Sequence, residues 1–295
     1  MTIPADGAAP SQSAQTETAQ TQTALTQAER ARVFRALHEG PGPLLLPNPW
    51  DAGSARLLAS LGFAALATTS GGFAATLGRL DGGVTRDEAL GHAAAIAAAT
   101  SLPVSADLEN AFADEPAGVA ETVRLAATAG LAGCSVEDFT RRDDDPIYDL
   151  GLARERVAAA AEAAAAAAGP LVLTARAENY LHGRADLAGT IGRLQAYQEA
   201  GADVLYAPGL TSLDDIRAVV SSVDRPVNVL TLAGAPTVPQ LAGLGVRRIS
   251  VGSAFSNAAL GALVSAAREL REQGSYGFLD QAATGRAAAR AAFGP

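Results

Sequence analysis

Five charged side chains fall where three short apolar runs end. The first run reads Ser105-Ala106-Asp107-Leu108-Glu109, the second Ser135-Val136-Glu137-Asp138, and the third Thr174-Ala175-Arg176. Alternate side chains of a strand share a face. Ser105, Asp107 and Glu109 then share one face, as do Gly133, Ser135 and Glu137, and Thr174 goes with Arg176. Val104, Ala106, Leu108, Cys134 and Val136 take the opposite, apolar face. If that apolar face meets a layer of helices, three carboxylates and one guanidinium converge. Carboxylates held close repel one another, and a buried unpaired one is costly. Two arrangements relieve this. A hard divalent cation takes oxygen ligands, and Mg2+ characteristically uses one or two carboxylates with waters and substrate oxygens. The other is an ion-pair network centred on Arg176 without metal. The Asp-x-Glu spacing alone does not decide between them.

Positioning these groups requires the elements around them. Strand-like runs occur at 44–46, 64–68, 103–108, 132–136, 171–175, 203–206, 226–230 and 248–251. Helical stretches alternate with them at 52–61, 86–99, 116–129, 152–168, 187–200, 213–222, 238–244 and 254–269. Gly62, Gly130, Gly201 and Gly245 stand just past helix ends, and Thr85, Asp186 and Ser212 at helix starts, where caps belong. Eight strand–helix units at a spacing of roughly 30 residues predict a (β/α)8 barrel, whose usual size is about 250 residues. A doubly wound open sheet fits less well: Pro49, Trp50 and Asp51, not a glycine-rich phosphate loop, follow the first strand. A helix over 33–37 is placed to plug the N-terminal end of the barrel. Helical residues 279–293 have no place in the eight units and are expected to pack on a partner subunit. Residues 1–25, rich in Ala, Gln, Thr and Ser, read as a disordered tail, and 26–295 as one barrel domain with a C-terminal helical extension.

Composition narrows the class. The chain has 295 residues, 48% hydrophobic and 18% charged, enough apolar material for a sizeable core. Lys and Arg number 22 against 31 Asp and Glu, a net charge of 22 − 31 = −9. With no basic run and 5% aromatics, nucleic acid and anionic membrane surfaces are poor partners. A single cysteine excludes an internal disulfide and a cysteine zinc cluster, and it suits a reducing cytoplasm. The N-terminus lacks the basic start and apolar stretch of a signal peptide, and no apolar run reaches membrane-spanning length; the Ala tract 158–168 carries Glu162. A cytoplasmic protein is expected.

The pattern Asp107-Leu108-Glu109, then Val136-Glu137-Asp138 with Glu137 28 positions after Glu109, then Ala175-Arg176, resembles the isocitrate lyase/phosphoenolpyruvate mutase superfamily. The likeness runs from Asn48-Pro49-Trp50-Asp51 and Ser54-Ala55 through Thr69-Ser70-Gly71-Gly72 to Asn228-Val229-Leu230 and Val251-Gly252-Ser253. It implies a Mg2+-dependent barrel, with Mn2+ as a substitute, that makes or breaks a C–C or C–P bond beside a 2-oxo acid through an enolate. By that resemblance Asp107 contacts the metal directly, and Glu109 and Glu137 act mainly through its waters. Ser70, Gly71 and Gly72 hold the substrate carboxylate, Arg176 binds the oxo acid, and Trp50 and Asn228 belong to the substrate pocket. Asp81 belongs to the mobile segment that closes the site.

The departures bear on the chemistry. Lyases of this superfamily carry Lys-Lys/Arg-Cys-Gly-His after the fourth-strand acid; residues 139–149 here contain neither Cys nor His. Tyr148 is the candidate proton donor in their place. A glycine-rich turn is expected after Glu109, but Asn110-Ala111-Phe112 stands there, with a less free backbone. Cys134 reads as a packing residue, His38 and His92 as surface or structural, His182 as near the site, and 141–145 as a solvated loop. These features lead to a Mg2+-dependent lyase for a small 2-oxo or dicarboxylic acid, forming a homo-oligomer (dimer or tetramer). The alternatives are a phosphonomutase or phosphonopyruvate-type C–P enzyme, and a non-catalytic barrel that binds 2-oxo acids.

Overall fold

Short apolar runs can satisfy their backbone groups only by pairing with one another. In the computed structural model, which describes residues 25–294, they pair as one parallel sheet rolled into a barrel. The order is α1 (Gln27–Leu37), β1 (Leu44–Leu46), α2 (Ala52–Ser60), β2 (Leu66–Ala67), α3 (Ser70–Thr76), α4 (Arg86–Ala99) and β3 (Val104–Asp107). There follow α5 (Pro116–Thr128), β4 (Gly133–Glu137), α6 (Leu150–Ala166), β5 (Val172–Arg176), α7 (Leu187–Glu199), β6 (Val204–Tyr206) and α8 (Leu213–Ser221). The chain ends with β7 (Val227–Leu230), α9 (Val238–Gly243), β8 (Arg248–Ser250), α10 (Ala254–Gln273) and α11 (Leu279–Phe293). The strands neighbour in the order β1-β8-β7-β6-β5-β4-β3-β2. Between β2 and β1 the amide of Ala67 donates to the carbonyl of Pro47 at 3.1 Å and brings the two ends together. The fold is a (β/α)8 barrel. The expected tail, apart from its last residue, lies outside the described residues.

The apolar material splits into two layers. Between strands and helices pack Leu108, Val119, Cys134, Val136, Leu173 and Leu205, among others. Inside the N-terminal end, Phe34 of α1 packs with Leu44, Leu46, Ala65, Ala132, Val172 and Val204, so this helix does plug the barrel. Gly133 is needed there: a Cβ would stand 2.9 Å from Phe34 Cε1. His38 is not at the surface. It caps α1 from inside, its Nδ1 2.8 Å from the carbonyl of Phe34, and burial pushes its pKa down to about 4.

Several element bounds differ from the sequence expectation by a few residues. β4 and β5 extend one residue further, so Glu137 and Arg176 are strand partners in register. Residues 70–76, a glycine-rich stretch with weak helix propensity, form the short helix α3. Thr69 Oγ1 starts it by accepting from the Gly72 amide at 3.3 Å. The trailing helix α11, expected against a partner subunit, packs on α2 of its own chain, and Phe293 lies close to Gly53. No described helix is long and apolar enough to cross a membrane.

Candidate active site

A cavity of about 180 Å³ opens at the C-terminal ends of the strands, with Thr68, Ser70, Asp81, Asp107, Arg176 and Asn228 in its wall. Arg176 is its centre. Nη1 donates to Asp107 Oδ1 at 2.9 Å, Nη2 lies 3.1 Å from Glu137 Oε2, and Nε donates to Glu178 Oε1 at 2.7 Å. The register explains the convergence: Asp107 pairs with Ser135 on β4, and Glu137 with Arg176 on β5. Burial alone would lower the pKa of the guanidinium, but Glu178, Glu137 and Asp107 hold it well above the ordinary arginine value. The same burial raises Glu137 and Glu178 above the usual carboxylate range, against the pull of Arg176. Asp107 also ties the cavity wall to α3, since its Oδ2 accepts from the amide and hydroxyl of Ser70 at 3.3 and 3.1 Å.

Glu109 reaches the site by a different route. β3 ends at Asp107, and Glu109, Ala111 and Phe112 have φ of 49°, 59° and 55°, the left-handed region that disfavours side chains. Arg156 of α6 holds this turn from beneath. Its Nη2 donates to the carbonyl of Asn110 at 2.7 Å, and its Nη1 to those of Asp114 at 2.7 Å and Ala113. The guanidinium also lies 4.1 Å from the centre of the Tyr148 ring. Glu109 Oε1 is buried without a hydrogen-bond partner, and Oε2 stands 3.6 Å from Arg141 Nη2. Burial, then Asp107, push its pKa up to about 7 despite Arg141.

A family model described as phosphoenolpyruvate phosphomutase matches residues 34–271. The chain belongs to that family. It is similar to the oxaloacetate decarboxylase of Chromohalobacter salexigens, 30% identical over 81% of this chain and 84% of that protein. It is likewise 30% identical to the 2-methylisocitrate lyase of Escherichia coli, over 70% of this chain and 71% of the relative. Among solved structures, a protein of Burkholderia cenocepacia described as a lyase/mutase superposes with a TM-score of 0.87 at 55% identity, over 90% of this chain and 95% of that one. Members of the wider phosphoenolpyruvate mutase/isocitrate lyase superfamily include lyases and mutases, and this chain is an enzyme of that superfamily.

Within this family member, the residues singled out by sequence fall into two groups. Asp81, Ser70, Asp107, Arg176 and Asn228 line the cavity. Gly71 lets Asp81 approach, since a Cβ there would stand 2.8 Å from Ser253 Oγ and 3.2 Å from Asp81 Oδ2. Gly72 is pressed against Thr69 and the Cβ of Trp50. Trp50 itself lies outside the cavity wall. Its amide donates to Ser54 Oγ at 3.0 Å, and its carbonyl faces His92 Nε2 at 2.8 Å. Tyr148 is buried away from the cavity, its hydroxyl on Asp114 and Asn110, and it supports the turn after Glu109. Cys134 faces the helices, and burial pushes its thiol up to about 12.

Sequence reasoning missed three groups. Glu178 shares strand parity with Arg176 and could have been read from that spacing. Arg141 lies in the exposed loop expected of 141–145, but it also spans from Glu109 to the carbonyl of Gly82 and so joins the 139–149 loop to the Asp81 segment. Arg248 stands on the inward side of β8, beside Asn228. Among the described residues no three His, Cys, Asp or Glu side chains gather closely enough to hold an ion by themselves. The donor set is nonetheless all oxygen, carries more carboxylates than guanidiniums, and includes the unpartnered Glu109 Oε1. Such a set fits a hard divalent cation that completes its shell with waters and substrate oxygens.

Proposed function

We propose that the chain is a lyase that cleaves a C–C bond of a small 2-oxo or dicarboxylic acid through a pyruvate-like enolate. The observation that carries this reading is Arg176, fixed by three carboxylates in a cavity with room for a small acid. When the bond between the carbon next to the 2-oxo group and its further substituent breaks, the electron pair stays on that carbon and spreads onto the 2-oxo oxygen as an enolate, and a preorganised guanidinium stabilises charge where it develops. The amide and hydroxyl of Ser70, which donate to Asp107 here, would turn to the substrate carboxylate when Asp107 takes the metal. The Asp81 segment, joined to Arg141, would exclude water from the site. Mg2+, with Mn2+ as substitute, would be held by Asp107 directly and by Glu109 and Glu137 through waters. It would supply Lewis-acid polarisation of the 2-oxo oxygen. Apolar side chains exposed along α10, Leu260, Leu263, Val264 and Leu270, support a homo-oligomer in which they are covered.

A screen of oxaloacetate, 2-methylisocitrate, 2,3-dimethylmalate and phosphonopyruvate with Mg2+, scored for pyruvate, glyoxylate or phosphoenolpyruvate, tests the reading. Turnover of one of the first three supports it. Turnover of phosphonopyruvate alone moves the assignment to C–P chemistry, and oxalate binding with no turnover of any leaves a binding barrel.

A further inference from the structure

Arg248 is 4% exposed, lies inside the barrel and forms part of the cavity wall. A guanidinium has five N–H donors and stays charged at neutral pH. Here Nε donates to Asn228 Oδ1 and Nη1 to Thr174 Oγ1, each at 2.9 Å, and both acceptors are uncharged. The other buried arginines are differently served. Arg176 has three carboxylates, Arg193 has Asp138, and Arg156 is spread over three backbone carbonyls away from the cavity. Among the described residues, no carboxylate forms an ion pair with Arg248. The charged and titratable groups that act on it are Arg176, of like sign, and the Tyr206 phenol; His38 lies on the plug side. Burial and Arg176 lower its pKa to about 10, which still leaves it a cation at pH 7.

A buried cation without a counter-charge, set in the wall of an anion-binding cavity, is strongly unfavourable until an anion arrives. We propose that Arg248 binds a second carboxylate of the substrate, distal to the 2-oxo end held at Arg176, so that the site selects dicarboxylic over monocarboxylic acids. The proposal rests on the small-acid reading above and names the residue that sets its specificity. Asn228 Oδ1 and Thr174 Oγ1 fix the guanidinium from its Nε and Nη1 sides and leave Nη2 for the ligand. The Ser250 hydroxyl, bonded to Asn228 Nδ2 at 3.0 Å, adds a neutral polar group in the same wall.

Calorimetric binding of unreactive 2-hydroxy acids in Mg2+ tests this without turnover. Lactate carries one carboxylate, malate a distal second one, and malamate the distal amide in its place. Loss of a charge-assisted hydrogen bond corresponds to roughly ten- to a hundredfold in affinity. The native protein should prefer malate over both lactate and malamate by that factor. Arg248→Met should erase the preference and leave lactate binding within about threefold of native. Equal native affinity for malate and malamate overturns the proposal, whether or not the variant folds. So does a folded Arg248→Met that keeps its preference for malate, or one that loses lactate and malate together. Lactate bound with no malate preference removes only the role of Arg248. If neither acid binds and the substrate screen is silent, the small-acid reading itself fails.

Discussion

Replacing Glu109 by Gln should make the metal-free protein more stable, and only at the higher pH. Burial and Asp107 move this carboxyl from 4.5 to about 7 in the folded state, while the unfolded chain keeps the ordinary value. Its side chain is 7% exposed, so solvent screening takes away little. Below pH 4.5 the carboxyl is protonated in both states and imposes no penalty. Between 4.5 and 7 the unfolded chain releases the proton and the folded one keeps it, so stability falls as pH rises. Above 7 the folded state must ionise a buried group, at about 3 kcal/mol in full. Glutamine has the same shape without the charge, but Arg141 loses its partner and the new amide needs an acceptor. A net gain of about 2 kcal/mol is expected at pH 8 and close to none at pH 4.5. Comparing the urea midpoints of the two proteins at both pH values, in chelator, isolates Glu109 from Glu137 and Glu178, which titrate in both. A stability difference that does not change with pH would refute the assignment of the strain to this carboxyl. In Mg2+ the order should reverse, because the cation stabilises the carboxylate of the native protein and not the amide.

Arg156→Met should cost roughly 2–4 kcal/mol in urea unfolding, from the carbonyl of Asn110 left unpaired and the lost contact with the Tyr148 ring; a change under about 0.5 kcal/mol would mean the turn holds itself. Arg176→Lys should lower kcat/KM by roughly two to three powers of ten, because lysine cannot make the forked contact. Oxalate should then inhibit the variant far less than the native enzyme, and equal inhibition would take Arg176 out of substrate binding. Chelation should abolish turnover and Mg2+ or Mn2+ restore it, with Asp107→Ala folded but inactive in either condition; full activity in chelator would contradict the metal role. Native protein should resist iodoacetamide at neutral pH and keep its activity, since the Cys134 thiol is fully buried. Rapid alkylation with matched inactivation would place the thiol in the site.

Periodicity carried the barrel because each strand is short and its two faces are chemically different. Alternation alone places Asp107, Glu137 and Arg176 on the inner face, and the structure finds both acids within hydrogen-bonding reach of Arg176. Register carries the detail that alternation lacks. That Glu137 lies beside Arg176, and Asp107 beside Ser135, depends on how far each strand slides along its neighbour, and single-strand patterns do not contain this. His38 was misjudged for a related reason. A residue just past a helix end looks exposed until the helix is known to point into a barrel, where Phe34 and His38 turn inward together. Tyr148 was a fair proton donor by sequence position alone, but its ring is taken up by Arg156 and its hydroxyl by Asp114.

The turn after Glu109 carries the strongest coupling between sequence and site. Its resemblance to the superfamily leads to an expectation of glycine there, since left-handed φ is free only to glycine. Glu109, Ala111 and Phe112 instead put side chains into that conformation, at roughly 1 kcal/mol for each strained residue. Such strain persists only where the surroundings over-determine it. Arg156 and Tyr148 do so: the arginine draws three carbonyls of residues 110–114 towards α6, and the tyrosine closes the other side through Asp114. A turn fixed from beneath cannot swing, and so Glu109 is held beside Asp107 even though its charge disfavours that place. The strain in the turn and the raised carboxyl are therefore two parts of one arrangement. Side chains far from the cavity hold an acid where only a counter-ion would make it comfortable.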